Sequence, residues 1–393
     1  MKVLIGSDEH IYYYGGQYYV SKIGYNIYQR YLRVFEKLRV AVRVRVVDNI
    51  NFPLSLYTPI DDCRIEIYPL PFFQGPKEYI LQYIPTQLKA RNASVGCDAG
   101  IFRMPSVIGQ LLCKKFKATR TPYAIEVVAN AETGAKTSSN IIHRLLLTKM
   151  NRDIKSLCGA ADGVAYVTRD ALQQIYPCNN NAFTTHYSSI NLLDSFYINT
   201  PRKYVSKQVF EIIHVAYSIS GKWKGHKQLI YMIKKVVDKG YNVKVTFVGK
   251  GKAIPEFEKL AKSLNIDRYV SFVGVLDTTT LREYLLHADM MVFPTWAEGL
   301  PRVIIEACAV GLPCISSPID GIPELLSKDV LFMPDEIDKY ADKIIEIIST
   351  PSYYEKLSRD NLLTSKNYQN IILQSRRDLF YTELKNIALK HSN

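Results

Sequence analysis

"EIIHVAYSISGKWKGHKQLIYMIKKVVDKGYNVKVTFVGKG", residues 211–251, changes its periodicity twice. Its first eight residues form a short apolar run rich in β-branched side chains, the pattern of a buried strand. Leu229, Ile233, Val236 and Val237 then recur at helical spacing until Gly240 ends the helix. "NVKVTFVGKG" (242–251) returns to strand and leaves through glycines. Strand, helix and strand joined by short loops make a βαβ unit, and its two strands run parallel because a crossover separates them.

The alternation continues downstream. "IPEFEKLAKSLNI" (254–266) reads as a helix and "YVSFVG" (269–274) as a strand. "TTTLREYLLHA" (278–288) reads as a helix opened by a capping box from Thr280 to Glu283. "DMMVFPT" (289–295) is a strand, Pro301 to Val310 a helix and "LPCISS" (312–317) a further strand. The pattern predicts an α/β fold with a parallel sheet covered on both faces. Ligands of such sheets bind outside the carboxyl ends of the strands. Four loops follow strands at that edge: "GKWKG" (221–225), "GKG" (249–251), "VGVLD" (273–277) and "TWAEGLP" (295–301).

The first half holds a second set of strands: "KVLIGS" (2–7), "RVAVRVRVV" (39–47), "PYAIEVV" (122–128) and "GVAYVT" (163–168). A glycine loop, "YYYGGQYY" (12–19), and a helix-like stretch from Ser21 to about Leu38 follow the first of them. A second parallel-sheet domain is expected here. The polar segment 198–207, holding Pro201, is the best linker, and residues 368–390 form an amphipathic helix able to pack on either domain.

A chain of 393 residues has room for two ordinary domains, and 47% hydrophobic content suits packed cores. No uncharged apolar run reaches the roughly 18 residues of a spanning helix. The strand at residue 2 leaves no room for a signal peptide, and the seven cysteines are odd in number with no C-x-x-C pair. Both point to a cytoplasmic protein with reduced thiols. No H-x-x-x-H pair occurs, and Asp61 with Asp62 reads as a turn, so no metal and no cofactor are expected. The net charge of +13 favours an anionic ligand or an anionic membrane face. Nucleic acid ranks last among the partners this charge suggests and is not expected, for want of a recognition motif. Residues 101–120, "IFRMPSVIGQLLCKKFKATR", mix apolar side chains with Lys114, Lys115 and Lys117. They read either as a helix lying at a membrane face or as a core-facing helix with a solvated basic end.

Lys222, Lys224 and Lys227 crowd the start of a helix behind glycines, a natural phosphate site. Glu298 and Glu306 stand eight positions apart. On one regular helix they would lie roughly 12 Å apart and about 80° around the axis. That exceeds the ~5 to 9.5 Å of a glycosidase pair. With Pro301 at the first helical position, Glu298 precedes the helix and Glu306 sits on its second turn. Glu298 can then accept hydrogen bonds from a sugar and Glu306 from the paired hydroxyls of a ribose, while the Gly299 and Leu300 amides face the phosphates.

From Phe272 to Pro313 the pattern F-V-G-x6-L-x-x-Y-L-x-x-A-D-x-x-V-F-P-T-x-x-E-G-L-P-x4-E-A-x-A-x-G-x-P resembles the donor domain of retaining glycosyltransferases of family 4. The likeness covers residues 210 to 325 well; the first half is similar in outline to capsule and O-antigen members. It implies the GT-B architecture, two Rossmann-like domains facing across a cleft. An acceptor-binding domain would span residues 1–198 and a nucleotide-sugar domain 199–367, with 368–390 free to pack back on the first. The resemblance implies catalytic roles for Glu298 and Lys224. It implies donor contacts for Gly16, Ser218, Lys222, Lys224, Val275, Glu298, Gly299, Leu300 and Glu306. The implied donor is a UDP-sugar, the acceptor a glycan on polyprenyl diphosphate, and no metal ion takes part. Two positions depart from the pattern. Ser218 stands where the family has an arginine, six residues before Lys224, and "EVVANAETG" (126–134) lacks the family's histidine. A nucleotide-sugar epimerase and a sugar-nucleotide-binding protein without catalysis are the competing readings.

Overall fold

The computed structural model describes residues 1–47, 57–133, 141–220 and 223–392. They form two compact units: Met1–Tyr187 with Gln374–Asn393, and Ser188–Leu373.

The sheet of the first unit contains β1 (Lys2–Tyr14), β2 (Gln17–Ser21), β3 (Lys37–Val46), β4 (Tyr57–Pro59), β5 (Ile65–Leu70), β6 (Ala99–Met104), β7 (Tyr123–Val127), β8 (Gly163–Tyr166) and β9 (Phe183–His186). Seven strands run parallel in the order β5-β3-β1-β6-β7-β8-β9. β1 is longer than "KVLIGS" suggests. It pairs with β6 through Val3–Gly6, shifts register against β3 between Gly6 and His10, and then pairs with β2 through Tyr12–Tyr14. The expected glycine loop is therefore a hairpin turn. Gly15 and Gly16 have φ of 56° and 85°, the two positive values that a tight turn between twisted strands needs. The expected helix from Ser21 to Leu38 is shorter, Lys22–Tyr31, because Leu38 is already in β3. Ser21 caps it, accepting from the Gly24 amide at 3.0 Å.

The second unit carries β10 (Phe210–Ser218), β11 (Val243–Lys250), β12 (Val270–Phe272), β13 (Met290–Phe293) and β14 (Cys314–Ser316), all parallel, in the order β12-β11-β10-β13-β14. The helix His226–Asp238 buries Leu229, Ile230, Met232, Ile233 and Val236. Each such side chain contributes roughly 1.5–3 kcal/mol of transfer free energy. Two helix starts differ from expectation. Asp277, not Thr280, caps the helix Thr278–His287, because its carboxylate reaches the amides of Thr279 and Thr280 at 2.9 and 3.0 Å. Pro301 is the cap of the helix Arg302–Ala309, with ψ of 115°, rather than its first turn.

Residues 198–207 are bound to the second unit and do not hang as a linker. Arg202 is fixed by the carbonyl oxygens of Val310 (2.7 Å), Ala288 (2.6 Å) and Leu285 (2.6 Å). The unit begins earlier than residue 199, at Ser188, since Phe196 and Leu192 already accept from Arg282 (3.1 Å) and Asn370 (2.7 Å).

The C-terminal helix, Asn370–Ser392, belongs to the first unit from Gln374 onward. Its buried Phe380, Tyr381, Leu384 and Ala388 share one face. Beneath them Glu126, only 2% exposed, accepts hydrogen bonds from Tyr31 (2.8 Å), Tyr187 (2.7 Å), Tyr381 (2.8 Å) and Arg103 (2.9 Å). Burial alone would raise its pKa, but the Arg103 charge and the tyrosine hydroxyls outweigh it and hold the carboxylate below its usual value.

Residues 101–120 take the core-facing form. Ile101 and Phe102 lie in β6, and Ile108 and Leu112 of the helix Val107–Thr119 are buried against the unit's own sheet. No apolar face of this segment remains for a membrane. Among the described residues no helix is long and apolar enough to cross one.

Candidate active site

The strand order of the second unit reverses between its neighbours β10 and β13. A crevice for ligands opens at such a switch point. The loops leaving these two strands are joined there. The Trp296 amide donates to the Trp223 carbonyl at 2.8 Å. Gly225, at φ of 69°, lies so close to Pro294 that a Cβ would stand 1.9 Å from the Pro294 carbonyl oxygen. Only glycine fits there.

This contact aims Lys224 across the switch point. Its Nζ donates to the Ala297 carbonyl at 3.1 Å and forms an ion pair with Glu298 Oε1. The Thr295 hydroxyl lies 3.2 Å from the same carboxylate oxygen. Burial raises the Glu298 pKa, opposed by Lys224 and by Thr295. The Glu298 side chain is 12% exposed and that of Lys224 31%. The pair is thus partly screened from water, the carboxylate more than the ammonium.

Glu306 projects from the second turn of the helix Arg302–Ala309. It is half-buried, and burial pushes its pKa up against the opposing charge of Arg302. Among the described residues nothing donates a hydrogen bond to its carboxylate, and nothing accepts from the amides of Gly299 or Leu300. Two of these groups, the amides, precede the helix and the third, the carboxylate, stands on it.

The other expected residues are placed less tightly. Ser218 is exposed at the end of β10, and Val275 is exposed in the loop after β12 on the same sheet edge. Lys222 lies outside the described residues. Gly16 belongs to the first unit, in its exposed hairpin turn.

Two features escaped the sequence. Directly under the Lys224 loop, His214 and His226 pack edge to face with ring centroids 4.5 Å apart. His214 Nδ1 donates to the Val292 carbonyl at 2.9 Å, while both ring nitrogens of His226 are buried without a partner. Desolvation, helped by the Lys224 charge, lowers the His226 pKa to about 4. The second feature is the first unit's own switch point, between β1 and β6. A cavity of about 260 Å³ there is lined by Ser7, Asp8, Glu9, Arg103 and Ser106. Glu9 accepts from Ser21 (3.0 Å) and Tyr28 (3.1 Å), and burial raises its pKa. Neither cluster carries a local sequence signature.

Residues 206–361 match the family model described as "Glycosyl transferases group 1". Protein CapJ of Staphylococcus aureus is 28% identical over 386 residues, spanning 96% of this chain and 95% of CapJ. Sucrose-phosphate synthase from Thermosynechococcus elongatus superposes with a TM-score of 0.70 at 15% identity, covering 98% of this chain and 99% of that one. HepE from Anabaena, solved in complex with UDP and glucose, gives a TM-score of 0.68 at 15% identity, with 98% and 100% covered. At such identities the structural likeness speaks to the fold: α/β, two parallel-sheet domains, GT-B. Residues 206–361 of this chain are a glycosyltransferase group 1 domain.

Proposed function

We propose that this chain transfers a sugar from a UDP-sugar to a surface glycan carried on polyprenyl diphosphate, with retention at the anomeric carbon. The observation that carries the proposal is the contrast between two glutamates on one sheet edge. Glu298 is neutralised by Lys224, whereas the carboxylate of Glu306 has no donor among the described residues. A carboxylate in that position suits the two hydroxyls of a ribose, and the Lys224–Glu298 pair suits the diphosphate and the sugar it carries. HepE with UDP and glucose supports the choice of donor, and the end-to-end likeness to CapJ directs the acceptor towards capsule.

In the proposed reaction the bond from the anomeric carbon to the diphosphate oxygen breaks. The acceptor oxygen bonds to the same carbon on the same face, and its proton passes to the leaving diphosphate. Lys224 and the amides before the helix Arg302–Ala309 stabilise the charge that develops there, so the scheme requires no metal ion. The second unit serves the donor. The first unit takes the acceptor, with Glu9 and Arg103 at its switch point facing glycan hydroxyls.

A binding protein without transfer is the second reading. Ser218 favours it, because no planar guanidinium stands at that position. Release of UDP from a panel of UDP-sugars, with and without lipid-linked glycan, separates the two. Transfer requires acceptor-dependent UDP release and a product of unchanged anomeric configuration. Tight UDP-sugar binding with no release under any acceptor would overturn the proposal in favour of the binding protein.

A further inference from the structure

The basic helix Val107–Thr119 is core-facing, but its two neighbours are not. In the helix Gly75–Ala90, Ile80, Leu81, Ile84 and Leu88 are 63%, 76%, 67% and 53% exposed. In the helix Ile141–Cys158, Ile141 and Leu145 are 66% and 64% exposed. The spacings i, i+4 and i+8 put Ile80, Ile84 and Leu88 on one stripe, and Ile141 and Leu145 on another. Between the helices runs a groove of about 300 Å³, lined by Tyr79, Tyr83, Leu146, Leu147, Lys114 and Lys149. Large apolar side chains exposed in such numbers on two helices beside one groove mark an interaction surface.

The charge around it has one sign. Helix Gly75–Ala90 with its cap Arg91, helix Val107–Thr119 and helix Ile141–Cys158 carry ten lysines and arginines against two acids, Glu78 and Asp153. Asp153 is already paired with Lys114 at 2.6 Å. A protein partner matched to apolar ridges would not need a one-signed border. An anionic bilayer needs both.

We infer that this face of the first unit seats on a membrane surface rich in anionic lipid. Exposed Ile80, Leu81, Ile84 and Leu145 enter the headgroup boundary, and Lys89, Arg91 and Lys149 meet the lipid phosphates. The inference stands independently of the glycosyl-transfer reading, and its test uses no sugar.

Full-length protein is floated with vesicles of phosphatidylcholine alone or with phosphatidylglycerol added. The surface predicts binding to the anionic vesicles only, weakening as salt rises. Lys89→Glu with Lys149→Glu should lower partitioning at least about tenfold. Leu81→Ser with Ile84→Ser should do the same with the charge intact, whereas Lys244→Glu with Lys262→Glu, in the second unit, should not. Leu81→Trp should show a blue-shifted emission on anionic vesicles. Equal binding to neutral vesicles, no binding, or an equal loss in the second-unit control would overturn the inference. So would a dimer in light scattering that Leu81→Ser with Ile84→Ser converts to monomer, since the face would then join two copies of this chain.

Discussion

Replacing His226 with phenylalanine should make the second unit markedly more resistant to acid. His226 is 1% exposed, stacks on Phe257 with ring centroids 5.6 Å apart, and has no hydrogen-bond partner on either nitrogen. Its pKa falls from 6.5 to about 4 on folding, first through desolvation and then through Lys224. As pH falls the unfolded chain therefore takes up the proton first. The stability given by the neutral ring is fully present above the unfolded value, declines as pH falls from 6.5 to 4, and changes no further below that. Linkage across that interval gives a loss of about 2 kcal/mol between about pH 7.5 and about pH 5. Urea unfolding at those two pH values, in wild type and in His226→Phe, measures it. Comparing the change with pH, rather than stability at one pH, cancels any packing cost of the larger ring. Half-buried Glu298 and Glu306, whose pKa values are raised, work in the opposite sense in both proteins and also cancel. A variant that loses as much stability as wild type over this interval would refute the reasoning.

The remaining predictions concern the carboxylates and the C-terminal helix. Glu306→Ala should weaken UDP binding by about 10- to 100-fold, the loss of charge-assisted hydrogen bonds to two hydroxyls; calorimetry with unchanged affinity would remove Glu306 from the ribose. Glu298→Gln should leave UDP affinity within about threefold while turnover falls by an order of magnitude or more, read by steady-state kinetics. Equal losses of UDP affinity in both variants would dissolve that division of labour. Tyr381→Phe should destabilise the first unit by about 1.5–3 kcal/mol, because it takes one donor from the buried charge of Glu126; an unchanged urea midpoint would count against the network.

Much of the second unit was legible because its information is local. Between residues 211 and 317 each change from strand to helix spacing is written in neighbouring residues, and the observed elements follow it. Helix ends were read less well. Thr280 and Glu283 form a plausible capping box, but Asp277 lies three residues earlier and its carboxylate takes the amides first. In the first unit, the sequence shows that Ile108 and Leu112 are apolar but not which surface they meet. That depends on β1 and β6, about a hundred residues away for the former. The same limit hid the candidate groups at the first unit's switch point. Glu9 and Glu126 are ordinary acids in strand segments until folding brings Tyr28, Tyr31, Tyr187 and Tyr381 to them. Lys224 and Glu298 were legible as separate loop residues, but their contact required the glycine at 225 and the adjacency of β10 and β13.

The last twenty residues complete a unit whose other parts are the first 187. On the ribosome, which delivers the chain from its N-terminus, the first unit is therefore made first and finished last. While the second unit emerges and folds, Glu126 waits for the hydroxyl of Tyr381, and the apolar surface destined for Phe380 and Leu384 stays uncovered. A premature stop anywhere in the final helix would thus injure the unit farthest from it in the gene. Cutting the gene at residue 187 would not yield an independent half. A rearranged gene that places residues 374–393 ahead of Met1 would let that unit finish as it is synthesised.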